Sequence, residues 1–465
     1  MSKDLRYFLQ TVKAAGKEYY VEVKKPLKPK FEKDVLQLKL DKSGSFPVIY
    51  CHKIEGSEIP LVSNFFGSYD LMGMALDMKP KANKEDIFHE FRRRMEKPIP
   101  EKTVPASKAP VKEVILRGKD VDLGLLPINH HNELNSTKYV TIGNTVCRNP
   151  NTGVINVGVY RHELKGKDKL GVWTAPANHG AYHARRYAEL GKPMQIAIFI
   201  GHHPAAVLGA LSAGPMDNNE FTVMGGLLGE PIEVTPTETA DLFVPAYAEI
   251  VLEGVIDPKN MTTDGPFSEW PGYYGVPGKC YVMDVKCMTM RHDAIYHDLA
   301  PAQREHCISG VLGFTSRVYD AVKAVVPTVK DVYLPFSGRH DMIAYVSIAQ
   351  RVPGEAKRAG LAAVNADACI RLAVVVDEDI DVFDEEQVIW AIATRCVADI
   401  DIDVITRLMG GTLNPTSYDE SRQKRGPMNS KIVINATKPI ELPFPTRVSP
   451  PKNLWKSMKL EDYIE

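Results

Sequence analysis

The chain has 465 residues, 44% of them apolar, and a formal net charge of −1. That length predicts two or three domains with a sizeable core, and the balanced charge gives no reason to expect nucleic acid or an anionic membrane surface as partner. No apolar run approaches the roughly 18 residues that span a bilayer, the charged start MSKDLRYFLQ lacks a signal-peptide run, and the seven cysteines are scattered without a CxxC. Reduced thiols in a cytoplasmic protein are therefore expected.

Asp4 can cap a helix whose apolar residues Leu5, Phe8, Leu9 and Val12 follow the i, i+3, i+4, i+7 pattern, with Gly16 to end it. Strand-like runs follow at 19–23, 46–51 and 59–63, then a helix at 86–95. Together these predict an α/β domain. Pro98, Pro100, Pro105 and Pro110 crowd the stretch KPIPEKTVPASKAP, which predicts a linker closing a first unit at 1–110.

Over 111–315 short β-rich segments recur with Gly, Pro and Asn punctuation: 139–147, 154–160, 195–200, 232–234, 248–256 and 280–290. This spacing predicts a barrel or sandwich, with helices at 180–190, 204–211 and 220–228. Residues 154–179, VINVGVYRHELKGKDKLGVWTAPANH, read as a β-hairpin turning through LysGlyLysAsp and ending at His179 on a helix start. From 316 to 465 a helical pattern (Val318, Ala321, Val322, Val325), strand-like runs at 331–334, 343–349 and 371–376, and a capping box of Asp384 and Gln387 predict a second α/β domain. Its proline-rich end, 439–451, is expected to wrap over a surface or a partner subunit.

Several residue groups offer chemistry. Asn156, His179 and Glu220 supply an amide oxygen, an imidazole and a carboxylate, a set suited to Mn²⁺ or Mg²⁺ with phosphate and water completing an octahedron. The same three also read as an ordinary strand Asn, helix-start His and helix-cap Glu. In DGPFSE the carboxylates Asp264 and Glu269 flank a Gly-Pro turn beside aromatic residues. They read either as solvated turn residues or as a desolvated pair with a proton donor near neutral pH. SAGPMDNNE (212–220) can cradle an anion on its backbone but is no Walker loop, and no GxGxxG or GxSxG sits in a strand–turn–helix context. Glu305–His306 reads as a surface pair and Lys431 as an outward strand residue, since an inward lysine needs an anion. His202 and His203 read as structural.

The stretches NVGVYR (156–161), PANH (176–179), PMDNNE (215–220), VPAYAEIVLEG (244–254), GPFSEWPGYY (265–274), VVVDEDIDVFDEEQVIWAIATR (374–395) and SKIVINAT (430–437), with the N-terminal DLRYFLQ, together resemble the UbiD family of prenylated-FMN-dependent (de)carboxylases. The resemblance implies a central split β-barrel holding the flavin, flanked by an N-terminal and a C-terminal α/β domain. It implies that Asn156, His179 and Glu220 hold a Mn²⁺ that anchors the cofactor phosphate, with K⁺ beside it and Lys431 as a further contact to the phosphate region. It also implies that Arg161 and Glu269 belong to a catalytic Glu–Arg–Glu network. Asp264 stands where that network has its first Glu. One methylene shorter, it is expected to loosen the pair to Arg161 or to need a bridging water.

By the same resemblance the function is reversible non-oxidative decarboxylation of an aromatic, heteroaromatic or α,β-unsaturated carboxylic acid, the flavin accepting the charge left by CO₂. Arg161 would orient the carboxylate and Glu269 would return the proton. Phe267 and Tyr273 point to a flat acid, and the pocket walls are expected near 270–274, 305–312 and Arg407. A flavin prenyltransferase would supply the cofactor, and a homodimer or larger homo-oligomer is expected. Two other readings are a flavin carrier or assembly subunit without its own turnover, motivated by Asp264, and a metal-dependent hydrolase, disfavoured because Asn is a poor ligand for water activation.

Overall fold

The computed structural model describes residues 2–176, 178–212, 214–417 and 428–464, so Ala177 of PANH and Ala213 of SAGPMDNNE lie outside the described residues. The first helix is Leu5–Ala15. Asp4 accepts from Tyr7 N–H at 2.9 Å, Leu5, Phe8, Leu9 and Val12 are buried, and Gly16 follows with φ +113°. Strands Tyr20–Val23, Val48–Cys51 and Leu61–Ser63 form one sheet, and its fourth strand, Tyr296–His297, comes from far down the chain.

The helix Glu32–Lys42 carries no apolar stripe that predicts it. It buries Lys33, Asp34 and Gln37 and leaves Val35 and Leu38 exposed. Its buried face is polar because its partners are. Lys33 Nζ lies 3.0 Å from Asp34 and 2.9 Å from Asp298, and His131 Nε2 lies 3.0 Å from Asp298. Gln37 donates to Glu305 at 3.2 Å and accepts from Ser63 Oγ at 2.6 Å. Buried charges persist only when paired and hydrogen-bonded in this way. Glu305 is thus not on the surface, as its sequence context predicts, but fully buried.

Residues 97–112 are tied to the middle of the chain. Ile99 N–H donates to Thr222 C=O at 2.9 Å, and Lys102–Thr103 pairs in parallel with Glu233–Val234. Two residues at a sheet edge are all that flanking prolines permit.

Six strands close into a ring: Tyr139–Arg148, Ile155–Leu164, Lys169–Trp173, Gly278–Met290, Ile250–Asp264 and Met194–Ile200, each hydrogen-bonded to the next and the last to the first. The expected hairpin is there, with Arg161 opposite Trp173 and Leu164 opposite Leu170. The expected helices are His179–Glu189, Pro204–Ala210 and Glu220–Leu228. His202 and His203 are buried, as structural residues should be; His203 Nδ1 accepts from Ala205 N–H at 3.2 Å and caps its helix.

The C-terminal sheet runs in the order Val329–Tyr333, Ile343–Ile348, Leu372–Asp377, Met428–Ala436, Ile402–Met409, with the helices Val311–Lys323 and Glu355–Ala366 packed on it. Asp384 caps its helix, but without the reciprocal bond of the expected capping box: it accepts from Glu386 N–H at 3.0 Å and from Gln387 Nε2 at 3.1 Å, while its own N–H donates to Asp381 C=O at 3.2 Å. The proline-rich tail passes over Trp390, where the Arg447 guanidinium stacks 4.5 Å from the ring centre, and its large apolar residues beyond that point are exposed. Among the described residues no helix is long and apolar enough to cross a membrane.

Burial pushes the Glu305 carboxyl up to about 7, although Lys33, Gln37 and backbone N–H groups act against it. The fold therefore holds a proton that the unfolded chain releases near its ordinary value of 4.5. Stability from this site is greatest below that value and declines as pH rises to about 7. Glu305→Gln should remove the decline, up to about 3 kcal/mol. Urea titrations at pH 5 and pH 8 read it: equal pH dependence in both proteins would contradict this placement.

Candidate active site

Arg161 and Asn156 share the strand Ile155–Leu164. Their odd spacing sends the two side chains to opposite faces. On the neighbouring strand the pairing slips between Val140 and Gly143, opposite Arg161. Bulges at such places re-aim side chains.

The Arg161 guanidinium is fixed on four sides. Nε donates to Asp264 Oδ2 at 3.1 Å and Nη2 to the same oxygen, while Nη1 donates to Glu269 Oε1. Trp173 covers one face with its ring centre at 4.0 Å, and Phe267 lies at 4.8 Å. Asp264 is fully buried and Glu269 is 4% exposed. The shortened acid neither loosens the pair nor needs a water bridge, because the turn after Asp264 brings its carboxylate into direct contact. Phe267, taken as a sign of a flat acid, is 2% exposed and committed to Arg161 and to Tyr139, 4.6 Å away. Tyr273 is largely exposed.

Burial works against the charge of Arg161, but Glu269 and Asp264 outweigh it and keep the guanidinium charged. Burial raises the Glu269 carboxyl, with Arg161 opposing and Asp264 adding to the rise. Burial likewise raises Asp264 against the pull of Arg161. Both carboxyls hold a proton more tightly than free acids do, which suits a proton donor.

The acid turn is held from behind by residues that the sequence reading missed. Gly265 N–H donates to Tyr139 Oη at 3.1 Å and to Glu163 Oε2 at 3.2 Å. Ser136 Oγ donates to Glu163 Oε1 at 2.9 Å, and its N–H donates to Pro266 C=O at 2.9 Å. Ser268 N–H donates to Asn135 Oδ1 at 2.9 Å, and Asn132 Nδ2 to Ser268 Oγ at 2.7 Å. Upstream, Asn129 and His131 both reach Asp298. Asn and Ser over 129–136 are ordinary loop composition, so no pattern in them marks this role; Glu163 is legible only as the same-face neighbour of Arg161.

Glu220 bonds the strand that carries Asn156, and the helix that His179 begins touches the same strand through Gly180. Glu220 Oε2 accepts from Val157 N–H, next to Asn156, at 2.7 Å. Tyr160 Oη accepts from Gly180 N–H, next to His179, at 3.2 Å. The Tyr160 ring leaves no room for a side chain at Gly158 or Gly180, since a Cβ at either would lie 2.7 Å from Oη. Asn156 turns its amide N–H toward Cys147 Sγ at 3.9 Å, which leaves the amide oxygen as the end available to a cation. Glu220 is 5% exposed with no cationic side chain at ion-pair distance among the described residues, and burial pushes its carboxyl up to about 7. A buried carboxylate lacking its counter-charge, bonded to the strand that carries the Asn156 amide, suits a hard divalent cation, and burial lowers the His179 imidazole at the start of the next helix, which leaves it neutral as a ligand must be.

Lys431 does not face outward. It is 2% exposed, and its ammonium donates to Val364 C=O and, at 2.9 Å, to Asp367 C=O. Carbonyls at the end of the helix Glu355–Ala366 serve in place of the anion that an inward lysine was expected to need. Next to this helix end, Gly411 N–H donates to Ala368 C=O at 3.1 Å, and the following Thr412 and Leu413 line a cavity of about 420 Å³ together with Arg161, Trp173 and Glu269. Of the expected pocket walls, 270–274 contributes no lining residue, but Gly275 and Val276 just after it do.

Asp264→Glu should cost turnover rather than improve it, because the extra methylene has no space beside a carboxylate already in contact. Overpacking costs ~1–3 kcal/mol; borne by the clamp in the transition state, that is a loss of about five- to 150-fold in kcat. Initial-rate measurements on cofactor-loaded protein check it; an unchanged or higher kcat would show slack in the pair.

Three family models match consecutive parts of the chain: the 3-octaprenyl-4-hydroxybenzoate carboxy-lyase N-terminal domain over residues 14–91, the Rift-related domain over 102–304 and the C-terminal domain over 311–436. The chain is 34% identical over 436 residues to an anhydromevalonate phosphate decarboxylase of Methanosarcina mazei, covering 93% of this chain and 96% of that protein. It is similar to the UbiD-class enzyme HmfF from Pelotomaculum thermopropionicum in complex with FMN, with TM-score 0.90, 34% identity and coverage of 99% and 100%. An evolved dimeric form of HmfF in complex with prFMN gives TM-score 0.85, 32% identity and full coverage of both chains. With all three domain models matched in order, and with solved flavin-bound relatives superposing over the whole chain, this protein belongs to the UbiD family of carboxy-lyases.

Proposed function

We propose that this chain catalyses the reversible, non-oxidative decarboxylation of an aromatic, heteroaromatic or α,β-unsaturated carboxylic acid with prenylated FMN. The observation that carries this is the buried guanidinium of Arg161, clamped by two carboxylates and covered by two rings, at the wall of the 420 Å³ cavity. Arg161 binds and orients the substrate carboxylate. Asp264 fixes the guanidinium from the buried side. Burial holds the proton on the Glu269 carboxyl more tightly than in water, and Glu269 delivers a proton to the carbon that loses CO₂. Trp173 and Phe267 keep water from the guanidinium. The flavin, when bound, supplies the electron sink that an sp² carbon cannot provide for itself.

Asn156, His179 and Glu220 would hold Mn²⁺ and through it the cofactor phosphate, with K⁺ alongside; Glu220's missing counter-charge supports this assignment. Lys431, beneath the 410–413 turn, would add positive charge to the phosphate region while its own N–H groups stay on carbonyls. A flavin prenyltransferase would supply the cofactor, and a homodimer or larger homo-oligomer is proposed, in keeping with the dimeric form of HmfF. Seven free cysteines support a cytoplasmic setting. The carrier reading had the shortened Asp264 as its motive, and the direct contact with Arg161 removes that motive.

Glu269→Gln in protein loaded with prenylated FMN should abolish CO₂ release, a loss of at least about 10³-fold, while leaving flavin absorbance intact. Near-normal decarboxylation in the loaded variant would refute the proton-donor role. Glu220→Gln and His179→Ala should each lower bound manganese and retained flavin together, as read by elemental analysis and absorbance. Full retention of both would refute the anchor.

A further inference from the structure

Asp264 is a short acid, yet its carboxylate meets the Arg161 guanidinium directly, so its backbone has to be held close. The sheet does not do this alone. The pairing of Ile250–Asp264 with Gly278–Met290 ends at Asp264, opposite Gly278. At this end of the ladder side chains hold both peptide groups that flank Asp264. On one side Lys165 Nζ donates to Thr263 C=O at 2.6 Å. On the other, Gly265 N–H donates to Glu163 Oε2 at 3.2 Å and to Tyr139 Oη at 3.1 Å.

Glu163 and Lys165 are also joined to each other, Nζ to Oε2 at 2.9 Å. Glu163 is 4% exposed, and Ser136 Oγ bonds its other oxygen. This is not the solvated kind of ion pair that contributes little. Both hooks stem from the strand that carries Arg161. Glu163 lies two residues on, on the same face, and Lys165 follows where the strand ends at Leu164. The guanidinium and the hold on its counter-ion thus share one rigid element. Burial, which raises the Asp264 carboxyl, and Arg161, which lowers it, outweigh the opposed pulls of Glu163 and Lys165. The pair therefore supplies position rather than net charge.

We propose that Glu163 and Lys165 are positioning residues: by gripping the peptide groups on either side of Asp264 they set how far its carboxylate reaches, and they fit the clamp to an acid of this length and no longer. This rests on the decarboxylase reading of the same site and adds what decides the fit of its buried acid.

The test is a double-mutant cycle on protein loaded with prenylated FMN. Glu163→Leu with Lys165→Met removes both hooks and leaves the net charge unchanged. CO₂ release is followed with 4-hydroxybenzoic, furan-2-carboxylic and pent-2-enoic acid, and urea unfolding is followed in parallel. The protein without hooks should lose at least about tenfold in kcat, as displaced catalytic groups do, with flavin absorbance intact. Adding Asp264→Glu, harmful in the wild type, should then restore kcat by at least about threefold, because the freed turn can draw back by one C–C bond, ~1.5 Å. The unfolding midpoint should reverse in the same way: Asp264→Glu lowers it in the wild type and not in the protein without hooks. Lys165→Met alone, at a partly exposed side chain, should show a smaller reversal. Lys165→Arg, which keeps a donor for Thr263 C=O, should stay within about threefold of wild-type kcat. An Asp264→Glu loss equal in all backgrounds, in rate and in midpoint, would overturn the proposal and leave the decarboxylase reading standing. If the wild type releases CO₂ from none of the three acids, that reading fails for them, and the unfolding cycle still decides the grip.

Discussion

A guanidinium taken out of water must find its counter-charge inside the protein, and the centre of this molecule is arranged around that requirement. Arg161 meets two carboxylates and two ring faces within one shell. Two ionised acids around one cation would leave an excess negative charge in a desolvated place, so the arrangement favours one retained proton. The structure gives that proton two resting places, and the one facing the cavity is Glu269. A stability problem, how to bury an arginine, and a chemical need, an acid that holds its proton more tightly than a free carboxyl, thus have the same solution.

The geometry of the clamp is borrowed from elements far away in the chain. The ring of six strands sets Arg161 against Trp173 through register alone. The acid turn is shaped by Glu163 and by Asn132, Asn135, Ser136 and Tyr139, and the segment carrying the last four is pinned at its other end to Asp298. Asp298 in turn is neutralised by Lys33 from the N-terminal sheet's helix. A continuous set of polar contacts therefore joins the first domain to the reacting groups, and the C-terminal domain closes the same cavity from the other side with Thr412 and Leu413.

Much of this was legible because it follows local rules. Alternation marks the hairpin, capping residues mark the helices at Leu5 and Glu385, and a polar residue on each face of one strand marks Asn156 and Arg161. What was hidden depends on partners distant in sequence. The helix Glu32–Lys42 looks unlike a packed helix because it turns charges inward. Glu305 and Lys431 look solvated because nothing beside them in the sequence shows the lysine, amides and carbonyls that receive them. The strand Tyr296–His297 is too short for any periodicity. Trp173 and Phe267 are aromatic residues like many others until the fold brings both rings against one guanidinium.

The inward-facing helix also bears on how the polypeptide is made. Gln37 and Glu305, bonded in the finished molecule, are 268 positions apart. A ribosome adding residues at roughly 5–20 per second leaves the N-terminal segment waiting many seconds for the partners of its interior charges. During that interval Lys33 and Asp34 stay hydrated, and the helix that bears them has no reason to dock. Full packing of the first domain therefore waits on residues 296–305, which supply its fourth strand and the partners of its buried charges.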